Sequence, residues 1–206
     1  MPAEGIKVVL FDLGNVLVNF DISPALRRFS GFNGKSPEWI LKTLLDSGLP
    51  VSFEKGLISP EDFHRNLCSL LELRIGYESF VCIWNEIFFF GLQNRAVFHI
   101  ASLLKKNYRL AVLSNTNILH YNHIKENFPV FGIFDELFLS FEIGDTKPSR
   151  EVYLKTVRAL NVLPENIFYT DDRKEFIKSS SLLGIKSFVF EGADKLLEDL
   201  SGLNII

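Results

Sequence analysis

Cysteine is scarce in this 206-residue chain: only Cys68 and Cys82 are present. They have neither metal-ligand nor redox spacing, which argues against a disulfide scaffold or a zinc ribbon. Buried free thiols in a reducing compartment are the expectation. Long hydrophobic runs are missing too, since none approaches the roughly 18 residues that span a bilayer. The most apolar stretch, Ile87 to Leu92, reads as the end of a helix. Nor is there an excess of charge of one sign: 22 Lys plus Arg face 25 Asp plus Glu, a formal net charge of -3. Without a basic field, nucleic acid and an anionic membrane are not expected as partners. The opening Met-Pro-Ala-Glu-Gly has no cationic or apolar leader region, so the expected location is cytoplasmic. There is no internal repeat and no low-complexity segment. What is there, 47% hydrophobic and 23% charged residues, suits a globular chain that buries roughly 70% of its unfolded surface.

Lys7 to Asp12, Lys-Val-Val-Leu-Phe-Asp, is a short β-branched and aromatic run, as in a parallel strand buried on both faces. Arg109–Ser114, Glu136–Ser140, Ile167–Asp171 and Lys186–Phe190 read alike. Helical patterns separate them at Arg95–Lys106, His120–Asn127, Arg150–Leu160 and Lys174–Leu183. The alternation predicts an α/β fold, a Rossmann-like parallel sheet of about five strands flanked by helices. From Asp12 to Arg109 the connection far exceeds the roughly 30 residues of a βαβ unit. Ser23-Pro24, Ser36-Pro37 and Ser59-Pro60 each offer an N-cap oxygen followed by proline, so the insert is helical. The expected organisation is an α/β core of residues 1–17 and 93–206, with a helical cap domain over residues 18–92 inserted after the first strand. Ala193 to Ile206 reads as a last helix with an apolar tail.

Ligands of an open parallel sheet bind beyond the carboxyl ends of its strands. Those ends carry Asp12, Ser114-Asn115, Asp171-Asp172 and, after the third strand, Lys147-Pro148. Each residue alone could cap a helix or sit in a turn; the set in this order points to phosphoryl chemistry. With its motifs Phe11-Asp12-Leu13-Gly14-Asn15-Val16, Leu113-Ser114-Asn115, Lys147-Pro148 and Tyr169-Thr170-Asp171-Asp172, the chain resembles the haloacid dehalogenase-like hydrolase superfamily. Ser114-Asn115-Thr116-Asn117-x-Leu119-His120, Lys147-Pro148-x-x-x-x-Tyr153 and Glu54-x-Gly56-x-Ile58-Ser59 are similar to the branch containing bacterial α-D-glucose-1-phosphate phosphatase.

This constellation suits an Mg²⁺-dependent phosphatase acting on a small phosphorylated metabolite such as a sugar phosphate. Asp12 is the expected nucleophile, forming an aspartyl-phosphate that water hydrolyses. Ser114 and the amide of Asn115 suit a phosphate oxygen, and Lys147 neutralises phosphate while keeping Asp12 ionised. Mg²⁺ would be held by Asp12, the Gly14 carbonyl and Asp172, with Asp171 behind or bound through water. Asn19, Asp21 and Glu54 are candidates for facing the site from the cap. Asn117 reads equally as an N-cap and His120 as a helix-surface residue; His64, His99 and His123 read as structural. Nothing sets the oligomeric state, and a monomer suffices.

Two positions depart from what the resemblance implies. Many relatives carry an acid two residues after the nucleophile, where this chain has Gly14. Loss of that proton donor predicts a preference for good leaving groups, an anomeric hydroxyl or a phenol, over a primary alkoxide. Phe176 stands where relatives commonly have an Asn supporting the lysine or the metal, and Arg173 and Lys174 compete for the acid pair. Two alternatives therefore stand beside the phosphatase: a weak or inactive phosphate-binding or regulatory module, and a carbon–halogen hydrolase, which needs no divalent cation.

Overall fold

The computed structural model describes residues 5–206, so the Met1–Glu4 opening weighed above lies outside the described residues. The first strand, β1 (Val8–Phe11), is buried at every position. After a tight turn come β2 (Asn19–Phe20) and five helices: α1 (Ser23–Asn33), α2 (Pro37–Ser47), α3 (Leu49–Glu54), α4 (Pro60–Leu70) and α5 (Tyr77–Asn85). Strand β3 (Phe88–Phe89) pairs antiparallel with β2, so the two segments joining the insert to the sheet form a short ribbon. Then follow α6 (Leu92–Leu104), β4 (Arg109–Ser114), α7 (Ile118–Asn127), β5 (Glu136–Leu139), α8 (Ser140–Ile143), α9 (Arg150–Leu160), β6 (Ile167–Asp171), α10 (Lys174–Ser181), β7 (Lys186–Val189) and α11 (Ala193–Gly202).

Five parallel strands run in the order β5-β4-β1-β6-β7. This is the expected Rossmann-like α/β architecture. Alternation along β1 splits the core in two. Val9 and Phe11 pack with Val97, Ile100 and Leu104 of α6 and Leu196 and Leu200 of α11. Val8 and Leu10 face Val152, Tyr153 and Leu160 of α9 and Ile177 of α10. The helical insert has a core of its own centred on Phe63, which stacks on Phe53 at 4.3 Å and meets Trp84 edge-on at 4.9 Å.

Three expectations need correction. Ile87 to Leu92 is not a helix end: α5 stops at Asn85, and Phe88 and Phe89 take the extended backbone that aromatic residues favour, because Phe20 and Asn19 offer a strand to pair with. Ser36 and Ser59 do cap their helices, accepting from Trp39 N and Asp62 N, but Ser23 is already inside α1 and its N–H is taken by Asp21 Oδ1 at 2.9 Å. The thiols are not both buried: Cys68 is half-buried, and Cys82 is exposed on the face of α5 opposite Phe80, Ile83 and Trp84.

The insert meets the sheet domain at Gly56. Its φ of +67° is left-handed, and an added Cβ would lie 2.3 Å from the backbone oxygen of Phe141 in α8. Two costs therefore fall on one substitution. Gly56→Ala should destabilise the protein by about 1–3 kcal/mol, read as a lower midpoint in urea, whereas Gly31→Ala, which meets open space inside α1, should not.

Candidate active site

Strand β1 lies between β4 and β6, with Phe11 level with Val112 on one side and Thr170 on the other. Asp12 continues that line, its N–H donating to Thr170 O at 2.9 Å. Three strand ends thus bring Asp12, Ser114 and Asp171 together at the carboxyl edge, where the sheet order switches. Beyond Asp12 the chain turns back on itself: Asn15 N donates to Val18 O at 2.7 Å. Asn15 itself has a φ of +57°, which asparagine tolerates better than most residues. That turn aims its amide at Asp172, with Nδ2 donating to Oδ2 at 2.9 Å.

Lys147 arrives on a loop after α8 and is clamped there by Asn115. Asn115 Nδ2 donates to Lys147 O at 2.9 Å, and Lys147 N donates back to Asn115 Oδ1 at 2.8 Å. The ammonium is buried, 2.6 Å from Asp12 Oδ1 and 2.6 Å from Asp171 Oδ2. Leu113 O at 3.0 Å and Tyr169 Oη at 3.2 Å complete its surroundings. Three N–H donors thus have four oxygens within reach. Tyr169 Oη in turn donates to Asp171 Oδ2.

The charges are strongly coupled. Burial pushes the Asp12 carboxyl up to about 7, against the pull of Lys147 and with the push of Asp171. Burial works to lower Lys147, but Asp12 and Asp171 outweigh it and hold the ammonium above the ordinary lysine range. Asp172 is raised mainly by burial, while Asn15 works the other way. One oxygen each from Asp12, Asp171 and Asp172 lie within 4.8 Å of one another, a hard-oxygen set that fits a divalent cation.

A cavity of about 230 Å³ opens above this edge, between sheet and insert. Leu13, Gly14, Ser114, Asn115 and Thr116 form its floor; Phe20, Leu26, Leu44 and Trp84 are among its apolar walls, and Glu54 enters from the end of α3. Burial pushes Glu54 up to about 7, with Arg173 working against the shift.

Of the residues singled out from sequence, Asp12, Gly14, Ser114, Asn115, Lys147, Asp171 and Asp172 converge on this edge. Glu54 reaches the cavity; Asn19 and Asp21 do not line it. Asn19 Oδ1 is occupied by Asn94 Nδ2, and Asp21 is spent on the start of α1. Asn117 caps α7 through His120 N. His120 is not on the helix surface: its ring stacks on Trp84, Asn117 Nδ2 donates to Nδ1, and Nε2–H donates to Trp84 O, so burial drives its pKa down to about 3. Phe176 leaves no lysine donor unmet, because the ammonium is already saturated and sits 5.1 Å from the ring centroid. Arg173 makes no ion pair with the acid pair: its guanidinium turns to Glu175 and lies over Phe176, but its charge still works to lower Asp172, and its N–H donates to Asp171 Oδ1 at 2.9 Å.

Sequence reasoning assigned no role to Asn15 or Tyr169, although both stand inside the quoted motifs. Ser140 carried no signal at all. Its Oγ accepts from Thr116 N at 2.9 Å and donates toward Glu54 O at 2.6 Å and Thr116 O at 2.8 Å, partners far away in the chain.

Residues 93–190 match the family described as haloacid dehalogenase-like hydrolase. Among curated proteins, the chain is 28% identical over 196 residues to D-ribitol-5-phosphate phosphatase of Bacteroides thetaiotaomicron, covering 92% of this chain and 94% of that one. It is 29% identical over 213 residues to flavin mononucleotide hydrolase 1 of Arabidopsis thaliana, a chloroplast protein, covering 97% and 78% respectively. Among solved structures, a HAD family enzyme of Bacteroides thetaiotaomicron in complex with magnesium and inorganic phosphate superposes with a TM-score of 0.80 at 25% identity, covering 90% of this chain and 94% of that one.

Replacing the central cation tests the electrostatics. Lys147→Met leaves the Asp12 and Asp171 carboxyls buried without their counter-charge, and near pH ~8 should cost about 3–5 kcal/mol. Asp12 has its folded pKa raised, so its contribution favours the folded state at low pH and is lost as pH rises through about 7. Urea unfolding of the variant should therefore show a markedly smaller penalty near pH ~5 than near pH ~8.

Proposed function

We infer that this chain, which belongs to the haloacid dehalogenase-like hydrolase superfamily, hydrolyses a small phosphate monoester through a phosphorylated Asp12. The observation that carries the reading is the buried Asp12–Lys147–Asp171 array with Asp172 beside it, where Leu13 and Gly14, next in the chain to Asp12, and Ser114 line a cavity. Asp12 attacks phosphorus, and its carboxylate oxygen forms the new bond as the ester oxygen leaves. Lys147 keeps the nucleophile ionised and faces the charge of the phosphoryl oxygens. Ser114 and the Asn115 amide receive a phosphoryl oxygen at the cavity floor.

Asp12, the Gly14 carbonyl and Asp172 would hold Mg²⁺, which when bound supplies positive charge to the nucleophile and the transferring phosphoryl group. Asp172 is favoured as the direct ligand because both oxygens of Asp171 already have partners, Oδ2 with Lys147 and Tyr169 and Oδ1 with Arg173 N. The insert, residues 18–92, serves as the cap that closes over the cavity and excludes water.

The cavity of about 230 Å³ suits a leaving group of sugar or polyol size. Glucose 1-phosphate is one such ester; D-ribitol 5-phosphate, the substrate named for the relative from Bacteroides thetaiotaomicron, is another. An exposed free thiol at Cys82 supports a reducing location such as the cytoplasm. Phosphate release from glucose 1-phosphate, D-ribitol 5-phosphate and p-nitrophenyl phosphate should depend on Mg²⁺. In Asp12→Asn it should fall by at least about 10³-fold while the unfolding midpoint holds or rises, because a buried charge has been removed. Metal-independent release, or release retained in Asp12→Asn, would reject the reading in favour of carbon–halogen chemistry or a phosphate-binding module.

A further inference from the structure

We propose that Glu54, carried by the cap, is the proton donor to the leaving-group oxygen, in place of the acid that Gly14 lacks. The inference rests on the phosphatase reading and adds a catalytic residue to it.

A side chain at position 14 would have to push the Phe20 ring aside by a few tenths of an ångström. A Cβ built there would lie 3.1 Å from Cε1 of Phe20, whose ring, from the strand leading into the insert, covers that side of the cavity. Among the described residues, Glu54 is the one carboxylic acid lining the cavity, whose lining also includes Gly14, Ser114 and Asn115. Among the described residues its carboxyl makes no hydrogen bond, so it is free to bond to a substrate.

The backbone around Glu54 is held to the sheet domain more firmly than a mobile lid requires. Ser140 Oγ donates to Glu54 O at 2.6 Å, and the same hydroxyl accepts from Thr116 N in the phosphate-binding loop. Lys55 pairs with Asp145 at 2.7 Å, and Gly56 presses against Phe141 O. Three consecutive residues thus dock on the segment just before Lys147. A general acid must be held in this way to reach one oxygen atom in the transition state.

The environment also suits the task. Apolar walls keep Glu54 protonated up to about neutral pH. Of the charged neighbours, Arg173 acts on it through its charge, Lys55 is neutralised by Asp145, and His120 is neutral. As Asp12 forms its bond to phosphorus, the P–O ester bond breaks and the departing oxygen takes the proton of Glu54. The product alcohol is neutral, and the new Glu54 carboxylate is favoured by the charge of Arg173. In the second half, that carboxylate takes a proton from the water that attacks the aspartyl-phosphate. Inorganic phosphate leaves, and Asp12 and protonated Glu54 are restored.

Leaving-group dependence isolates this role. A primary alkoxide needs a proton to depart, whereas p-nitrophenolate does not. Glu54→Gln keeps the size and neutrality of the protonated side chain but cannot release a proton. It should lower kcat on D-ribitol 5-phosphate by about 10²–10⁴-fold and that on p-nitrophenyl phosphate by less than about 10-fold. The wild type supplies an arm that needs no variant: across a series of aryl and alkyl phosphates its kcat/KM should depend only weakly on leaving-group acidity. A steep dependence in the wild type, or equal losses on both substrates in Glu54→Gln, would overturn the role of Glu54 and leave the phosphatase standing. No turnover of any ester by the wild type would overturn both.

Discussion

The ammonium of Lys147, wedged between Asp12 and Asp171, is the interaction on which the rest of the site depends. Three carboxylates stand at one strand edge, two of them buried, and burial alone would neutralise at least one of them. For Asp12 to act as the proposed nucleophile it must be ionised, which calls for a cation buried with it. The lysine then has to be satisfied in turn, and the fold does this with Leu113 O and Tyr169 Oη as well as the acids. Asn115 fixes the lysine backbone, and the aromatic rings of Phe176 and Tyr169 lie close to its charge. Buried ion arrays of this kind are a poor source of stability, because desolvation offsets most of the attraction. What this one does is oppose the burial that raises Asp12, a carboxylate beside an apolar cavity.

A second constraint is mechanical. Cap and sheet domain have separate hydrophobic cores, and an insert built this way could move as a unit. Polar and backbone contacts oppose that freedom at one seam, where residues 54–56 meet Ser140, Phe141 and Asp145. Ser140 is the hub, since its single hydroxyl serves both the loop after β4 and the end of α3.

The sheet was legible because buried parallel strands are written as local apolar runs, and the acids at their ends fall at fixed offsets. Asp12, Ser114, Lys147 and Asp171 could be assembled from sequence for that reason. The β2–β3 ribbon was not legible: two residues per strand give no periodicity, and Phe88 and Phe89 are extended only because Asn19 and Phe20 lie opposite. His120 looked like a surface residue on a helix with little amphipathic pattern. Its burial comes from Trp84, a cap residue that no local signal links to α7. Ser140 is the extreme case, an unremarkable serine whose importance lies wholly in contacts across the chain. Local signals place the chemistry; contacts between distant segments decide how it is supported.

The same distinction governs how departures from a motif should be weighed. Gly14 and Phe176, read one position at a time, each look like the loss of a functional group. In the fold, Phe176 deprives Lys147 of nothing, since four oxygens already surround three donors and the ring adds a favourable face. At Gly14 the nearest neighbour of an added Cβ is the ring of Phe20, 3.1 Å away at Cε1, which also lines the cavity. The insert brings Glu54 to the same cavity on an anchored backbone. The two departures therefore carry different weight: Phe176 is absorbed locally around Lys147, and Gly14 is the one that the role proposed for Glu54 would offset from the insert.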